Sequence, residues 1–320
     1  MNTLEDAVAT VAQITDEISR VYIGQKKAVR EVMICLLAGG HVLIEGVPGL
    51  GKTLLVRALA QTFGGDAKRI QFTPDLMPSD VTGHAIYNLR EEQFEVRRGP
   101  VFTNLLLADE INRAPAKTQA ALLEVMQEQQ VTIEGESMVV PRPFMVLATQ
   151  NPVEQDGTYP LPEAQLDRFM MKVRIGYPSE GEEEEMVRLQ TEGRIVGGLA
   201  ADGVAQVLDA DGLLALRART AEITVDDAVR TYAVAVVRRT RDTVGLSQGA
   251  SPRGAIALVA AARACALCQG RDFVTPDDVR DVTLPVLRHR LQLTPDREIE
   301  GVEIDDVLME MAAQVEAPRL

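Results

Sequence analysis

From Leu4 to Val21 the apolar positions fall at Leu4, Val8, Val11, Ile14 and Ile18, three or four residues apart, which predicts an amphipathic helix with an acidic outer face. Beyond it come short β-rich apolar runs at 41–44, 69–72, 105–108, 144–148 and 170–175. Helical patterns such as 53–63 and 118–129 alternate with these runs, so the expected class is α/β, a parallel sheet sandwiched by helices. Around Tyr177-Pro178-Ser179-Glu180-Gly181 the character changes and no further strand-like run is expected. The segments 182–190, 204–208, 213–221, 226–240, 253–268 and 276–288 carry helical spacing or Ala-rich composition. Two of these helices have marked starts, Ser251-Pro252 and Thr275-Pro276-Asp277-Asp278, each a cap residue followed by Pro at the first helical position. The pattern predicts two domains, residues 1–178 and residues 179–320, the second all-helical.

Composition narrows the class. A hydrophobic fraction of 46% and a charged fraction of 25% are those of a globular protein and exclude disorder as the main state. With 33 Lys and Arg against 47 Asp and Glu, the net charge of −14 repels nucleic-acid phosphates and anionic membranes. The three cysteines, Cys35, Cys265 and Cys268, cannot make a disulfide framework, and residues 1–6 lack a basic stretch leading into an apolar one, so a reducing cytoplasm is expected. The longest apolar stretch, 32–44, is shorter than the roughly 20 residues that span a bilayer, and no membrane span is expected.

The chemistry concentrates in a few places. Gly46-Val47-Pro48-Gly49-Leu50-Gly51-Lys52-Thr53 matches G-x-x-x-x-G-K-[ST] in full, with a predicted strand before it and a predicted helix after it. Glycines allow the backbone N–H groups to turn inward around an anion. Lys52 reaches the outer phosphates, and the Thr53 hydroxyl is placed to ligate Mg²⁺ beside a helix N-terminus. The run Leu105-Leu106-Leu107-Ala108-Asp109-Glu110 ends a buried strand in two acids: Asp109 to hold the metal, Glu110 to polarise an attacking water as general base. A strand ending in two solvated acids is the competing reading, and the complete phosphate loop upstream favours the chemical one.

At this point the sequence resembles the AAA+ ATPases, and among them the MoxR family. The resemblance is carried by Gly99-Pro100-Val101-Phe102-Thr103-Asn104 running on to Pro115, and by Lys117-Thr118-Gln119-Ala120-Ala121-Leu122-Leu123-Glu124. Further matches are Val21-Tyr22-Ile23-Gly24-Gln25, Ala148-Thr149-Gln150-Asn151-Pro152, Leu166-Asp167-Arg168-Phe169 and Ala250-Ser251-Pro252-Arg253, so that nearly the whole chain is covered. It implies a P-loop NTPase core with a helical lid, using ATP and Mg²⁺. Ile23 and Gly24 would flank the adenine, and the loop from Gly46 to Thr53, with the adjoining Leu54, would bind the nucleotide. Asn151 would be a polar sensor beside the water and the outer phosphate, Arg168 an arginine finger completing a neighbour's site, and Arg253 a lid residue reaching the phosphates of its own subunit. A finger acting in trans implies a ring, by resemblance a hexamer. The family further implies a chaperone-like role in assembling protein complexes or inserting metals and cofactors, commonly beside a von Willebrand factor A domain partner.

Each of these positions has a plainer reading: Asn151-Pro152 as a turn, Arg168 in an ion pair with Asp167 or Glu163, Arg253 as a solvated surface side chain. Residues 130–140 alternate as a β-hairpin whose tip, Glu134-Gly135-Glu136, is acidic, and residues 74–99 form a second insertion broken by Gly83 and Gly99. An acidic tip would be repelled by DNA, which favours a protein client over a DNA-remodelling motor; Arg97 and Arg98 remain a solvated or subunit-facing pair. A third possibility, a slow nucleotide-dependent scaffold, has no need of Glu110. Cys265 and Cys268 have metal-like spacing, but with no second pair nearby they read as helix packing, and His41, His84 and His289 lack catalytic partners.

Overall fold

The computed structural model describes residues 3–151, 158–192 and 203–318. The N-terminal helix α1 (Leu4–Val21) begins at Thr3, whose hydroxyl accepts from the Asp6 N–H while Asp6 accepts from the Thr3 N–H, a reciprocal cap that satisfies two orphan donors. Of the expected apolar stripe, Val11, Ile14 and Ile18 are buried, joined by Ala7, while Leu4 and Val8 are half-buried against the same core. The core then runs α2 (Lys26–Leu37), β1 (Val42–Glu45), α3 (Lys52–Gln61), β2 (Ala67–Gln71), α4 (Pro78–Thr82), β3 (Gly83–Asn88), β4 (Gln93–Arg98) and β5 (Leu105–Asp109). It continues through α5 (Ala116–Glu128), β6 (Gln130–Ile133), β7 (Glu136–Val139), β8 (Met145–Gln150), α6 (Glu163–Leu166) and β9 (Met171–Arg174).

Five strands pair in the order β2-β5-β8-β1-β9, every pair parallel. Alternate residues of these strands enter two separate cores, as a period of two demands of a sheet covered on both faces. Val42, Ile44, Leu105, Leu107, Met145 and Leu147 pack with α1, α2 and α3, while Leu43, Leu106, Ala108, Val146 and Ala148 pack with α5 and the flanking hairpins. The carboxyl ends of β1, β5 and β8 lie side by side, so the loops that follow them share one rim of the sheet, which is where open α/β sheets place their ligands.

The chain after β9 is helical: α7 (Glu180–Thr191), α8 (Ala210–Ala221), α9 (Asp227–Arg239), α10 (Pro252–Cys268), α11 (Pro276–Leu287), α12 (Pro295–Ile299) and α13 (Ile304–Gln314). Ser251 and Thr275 cap α10 and α11 as their sequences indicate.

Two expectations need correction, and one insertion proves to have its own structure. Residues 204–208 form no helix; the chain there is irregular, its Val207 and Leu208 N–H groups donating to the Thr62 carbonyl. The helical region does contain strands, β10 (Leu246–Gln248) and β11 (Gln292–Leu293), paired antiparallel but too short to leave a pattern. The insertion at 74–99 carries its own hairpin, β3 with β4, beside the expected hairpin β6 with β7. Pro152 lies outside the described residues, as does the Gln190 side chain.

Candidate functional site

The loop between β1 and α3 is shaped by two glycines. A Cβ on Gly46 would meet the Ile175 carbonyl at 2.6 Å, so only glycine lets the loop leave the sheet beside β9. Gly51 occupies the N-cap of α3 at φ 72°, a left-handed conformation that glycine adopts freely. The helix thus opens directly at Lys52 and Thr53, with its free N–H groups and positive dipole end facing the rim. Lys52 Nζ donates to the Gly46 carbonyl at 2.6 Å; burial pushes its pKa down, while Asp109 and Glu110 oppose that shift.

Asp109 and Glu110 project from the end of β5 into the same cavity. Asp109 Oδ1 accepts from Thr149 Oγ1 at 2.6 Å, and its Oδ2 accepts from Arg69 Nη2 at 2.7 Å. Glu110 sits at φ 56°, a costly conformation for a residue with a side chain, held by its N–H donating to Thr149 Oγ1 at 2.8 Å. Its Oε2 accepts from Gln71 Nε2 at 2.7 Å and from Arg113 Nη1 at 2.9 Å. Thr149, which is 1% exposed, therefore ties both acids to β8 through one hydroxyl.

A cavity of about 330 Å³ is lined by Gly46, Pro48, Gly49, Leu50, Gly51, Lys52, Thr53, Leu54, Asp109, Glu110 and Asn151, together with Arg69, Gln71 and Thr149. A second, of about 490 Å³, shares Pro48 to Gly51 and Leu54 and adds Tyr22, Ile23, Tyr177, Pro178, Met186 and Val187. One cleft results, polar at the sheet rim and apolar between the N-terminal segment and α7. Tyr22 is buried there, its hydroxyl donating to the Leu50 carbonyl at 3.1 Å and its pKa pushed up to about 12 by burial. The oxygen-only donors Thr53 and Asp109 suit a hard cation such as Mg²⁺. Among the described residues no group of three or more His, Cys, Asp or Glu could hold a metal unaided, which suits an ion that arrives with phosphates. On α10, Cys265 is buried and Cys268 half-buried.

Four of the expected residues lie outside these linings. Val47 is half-buried within the loop, and Gly24 faces the Glu182 carboxylate, 3.0 Å from where its Cβ would be. Arg168, between α6 and β9, donates to the Leu123 carbonyl of α5 at 2.6 Å. The Asp167 carboxylate, proposed as its ion-pair partner, meets Arg290 instead. Arg253 is exposed on the first turn of α10. Sequence reasoning in turn passed over Arg69, Gln71 and Thr149. Polar residues at alternating positions of a strand were the available signal for the first two, and Thr149 stood unassigned within a motif already singled out.

Residues 41–171 match the family model described as "ATPase family associated with various cellular activities (AAA)", and residues 238–311 match the AAA lid domain. The uncharacterized protein YeaC of Bacillus subtilis is 46% identical over 98% of this chain and 97% of its own length. Chaperone MoxR1 of Mycobacterium tuberculosis is 45% identical over 98% of this chain and 84% of its own. A crystal structure from Cytophaga hutchinsonii, described as that of a candidate ATPase, superposes with a TM-score of 0.91 at 41% identity, covering 99% of this chain and 97% of that one. Parallel sheet, phosphate loop, paired acids and helical lid define an ATP-hydrolysing enzyme of the AAA class. Within that class, the chain belongs to the MoxR family.

Proposed function

We propose that the chain binds ATP with Mg²⁺ in this cleft, hydrolyses it to ADP and phosphate, and uses the cycle to remodel a protein client. The observation that carries the reading is the convergence of Lys52, Thr53, Asp109, Glu110 and Asn151 on one cavity from three different loops. The N–H groups of Gly49, Gly51 and Lys52 would cradle the phosphates, and Lys52 would neutralise the outer ones. Thr53 and Asp109 would hold Mg²⁺, which when bound supplies charge neutralisation at the phosphate oxygens. Glu110, with Oε2 engaged by Gln71 and Arg113, would take the proton of an attacking water on Oε1. Asn151 can accept from that water and donate to phosphate at once. Ile23 and the apolar half of the cleft would receive the base, with Gly24 beside them.

Arg168 lies outside its own chain's cleft, which supports its acting on a neighbouring subunit's nucleotide, and hence a ring, by family a hexamer. Arg253 would reach the phosphates of its own subunit when the lid turns. The division into core and lid near residue 178 is supported by β9 ending at Arg174 and α7 beginning at Glu180. The printed name of the M. tuberculosis relative supports chaperone work, with a von Willebrand factor A domain protein as the partner to seek. The Glu134-Gly135 turn of the β6–β7 hairpin supports a protein client over DNA. No helix among the described residues is long and apolar enough to cross a membrane, and we place the protein in the cytoplasm. Phosphate release with Mg-ATP, with and without duplex DNA, tests this reading. Turnover that Glu110→Gln abolishes while ATP binding persists is expected, with no response to DNA; stimulation by DNA would favour the motor, and turnover surviving in Glu110→Gln would remove the general base.

A further inference from the structure

After α11 the chain makes a 3-10 turn of three basic residues, Arg288, His289 and Arg290, all buried. They reach across to the segment that runs from Asp167 into β9, the edge strand of the sheet. Arg290 Nε donates to Asp167 Oδ1 at 2.7 Å, its Nη2 to the Phe169 carbonyl at 2.8 Å, and its Nη1 to the Met170 carbonyl at 3.1 Å and to that of Val286. His289 Nε2 lies 2.9 Å from the Phe169 carbonyl, and Arg288 Nη1 donates to the Lys172 carbonyl at 3.2 Å. The second oxygen of Asp167 accepts from Ser251 Oγ at 2.9 Å, and that same Oγ accepts from the Arg253 N–H at 3.2 Å as the cap of α10.

One carboxylate thus joins three things: the residue before Arg168, the buried guanidinium of the lid, and the helix start that carries Arg253. The Arg290 side chain is 3% exposed and the Asp167 side chain 17%. A guanidinium so deeply buried holds on to its countercharge, because parting the two leaves an uncompensated charge inside the protein. Asp167 therefore follows the lid when the lid turns, and the backbone of Arg168 follows Asp167.

We propose that Asp167 and Arg290 are positioning residues that couple lid angle in one subunit to the Arg168 side chain offered to the next. The proposal rests on the reading of Arg168 as acting in trans. It makes a specific prediction about where a defect falls. Breaking the clasp leaves the phosphate loop and the two acids of a subunit's own cleft in place and harms the neighbour's site.

The test mixes subunits. Asp167→Asn keeps an acceptor for Ser251 but removes the countercharge, and Arg290→Met breaks the same link from the lid side, far away in sequence. Each alone should lower turnover about a hundredfold, the scale of a misplacement of order 1 Å, while ATP binding stays within about twofold. Glu110→Gln subunits cannot hydrolyse, yet they carry an intact clasp and Arg168. Adding them in equal amount should restore turnover to Asp167→Asn, Arg290→Met and Arg168→Ala alike. If Arg168→Ala is restored and the two clasp variants are not, the clasp is structural only and the proposal is overturned. If Arg168→Ala is not restored either, the trans reading itself fails and takes the proposal with it. Should Asp167→Asn and Arg290→Met lose their circular-dichroism melting transition, Ser251→Ala is the variant to read, since it removes only one hydroxyl, the donor to Asp167 and cap of α10, and any defect it causes through Arg253 lies in its own subunit and is not rescued by mixing. Reduced turnover rescued by Glu110→Gln supports the coupling, and wild-type turnover refutes it.

Discussion

Replacing Thr149 by Val removes one hydroxyl and keeps the shape of a buried side chain. That hydroxyl makes two hydrogen bonds that matter here, donating to Asp109 and accepting from the Glu110 N–H. A hydrogen bond to a charged group contributes about 1.5–3 kcal/mol, and a buried donor left without a partner costs about 1–3 kcal/mol. Both losses arise from the same atom and overlap, so about 3 kcal/mol is the expected destabilisation, or a fall in Tm of roughly 4–5 °C at about 1.5 °C per kcal/mol for a chain of this length. The effect on turnover has a separate origin. Glu110 holds a left-handed conformation that its N–H bond helps to maintain, and once released it can relax by an ångström, enough for about a hundredfold in kcat. The phosphate loop is untouched, so ATP affinity should stay within about twofold. Thr149→Ser, which restores the hydroxyl, should recover most of both losses. Thermal unfolding, phosphate release and fluorescent-nucleotide binding read these quantities directly. Thr149→Val with wild-type kcat and Tm, or Thr149→Ser as damaged as Thr149→Val, would refute the claim that this hydroxyl sets the two acids.

Two further outcomes follow from geometry away from the acids. His41 is buried, Nδ1 accepting from the Val146 N–H and Nε2 facing the Met126 carbonyl, and burial lowers its pKa to about 4. Between the ordinary value of about 6.5 and 4 the unfolded chain takes up a proton that the native one refuses, so stability falls as pH drops, by about 3 kcal/mol across that window. Urea melts at pH 7 and pH 5 should show this slope, to which the buried His289, its pKa also lowered by burial, adds its own share, and His41→Gln should lessen it; an unchanged slope would assign the proton uptake to other groups. Gly46→Ala forces a methyl group against the Ile175 carbonyl and should weaken ATP binding by about tenfold or more, whereas Gly176→Ala, with nothing within 4 Å of its Cβ, should bind normally. Equal affinity in the two variants would show that the loop has room to shift.

What the sequence made legible was local. The β1 loop and the acids after β5 are set by residue types at fixed spacing, and the alternation of strand and helix announces the sheet. Helix α2 escaped because Glu31 to Leu37 are all buried, so its exposed polar face is confined to Lys26, Lys27 and Arg30 in the first turns and the rest reads as one apolar run. The run 204–208 reads as helix from its apolar spacing, yet tertiary bonds to the Thr62 carbonyl hold it irregular. Arg69 and Gln71 join the site because β2 pairs with β5, placing Gln71 opposite Asp109, and no local spacing encodes that register. Arg290 and Asp167 stand far apart in the chain and meet only when the helical region packs on β9.

Steady-state ATP hydrolysis measured across protein concentration, for wild type, Glu110→Gln and Arg168→Ala, tests the central claim most directly. A ring whose sites are completed by a neighbour's arginine predicts specific activity that rises with concentration to a plateau, with both variants inactive at every concentration. Specific activity independent of concentration, together with normal turnover by Arg168→Ala, would contradict it.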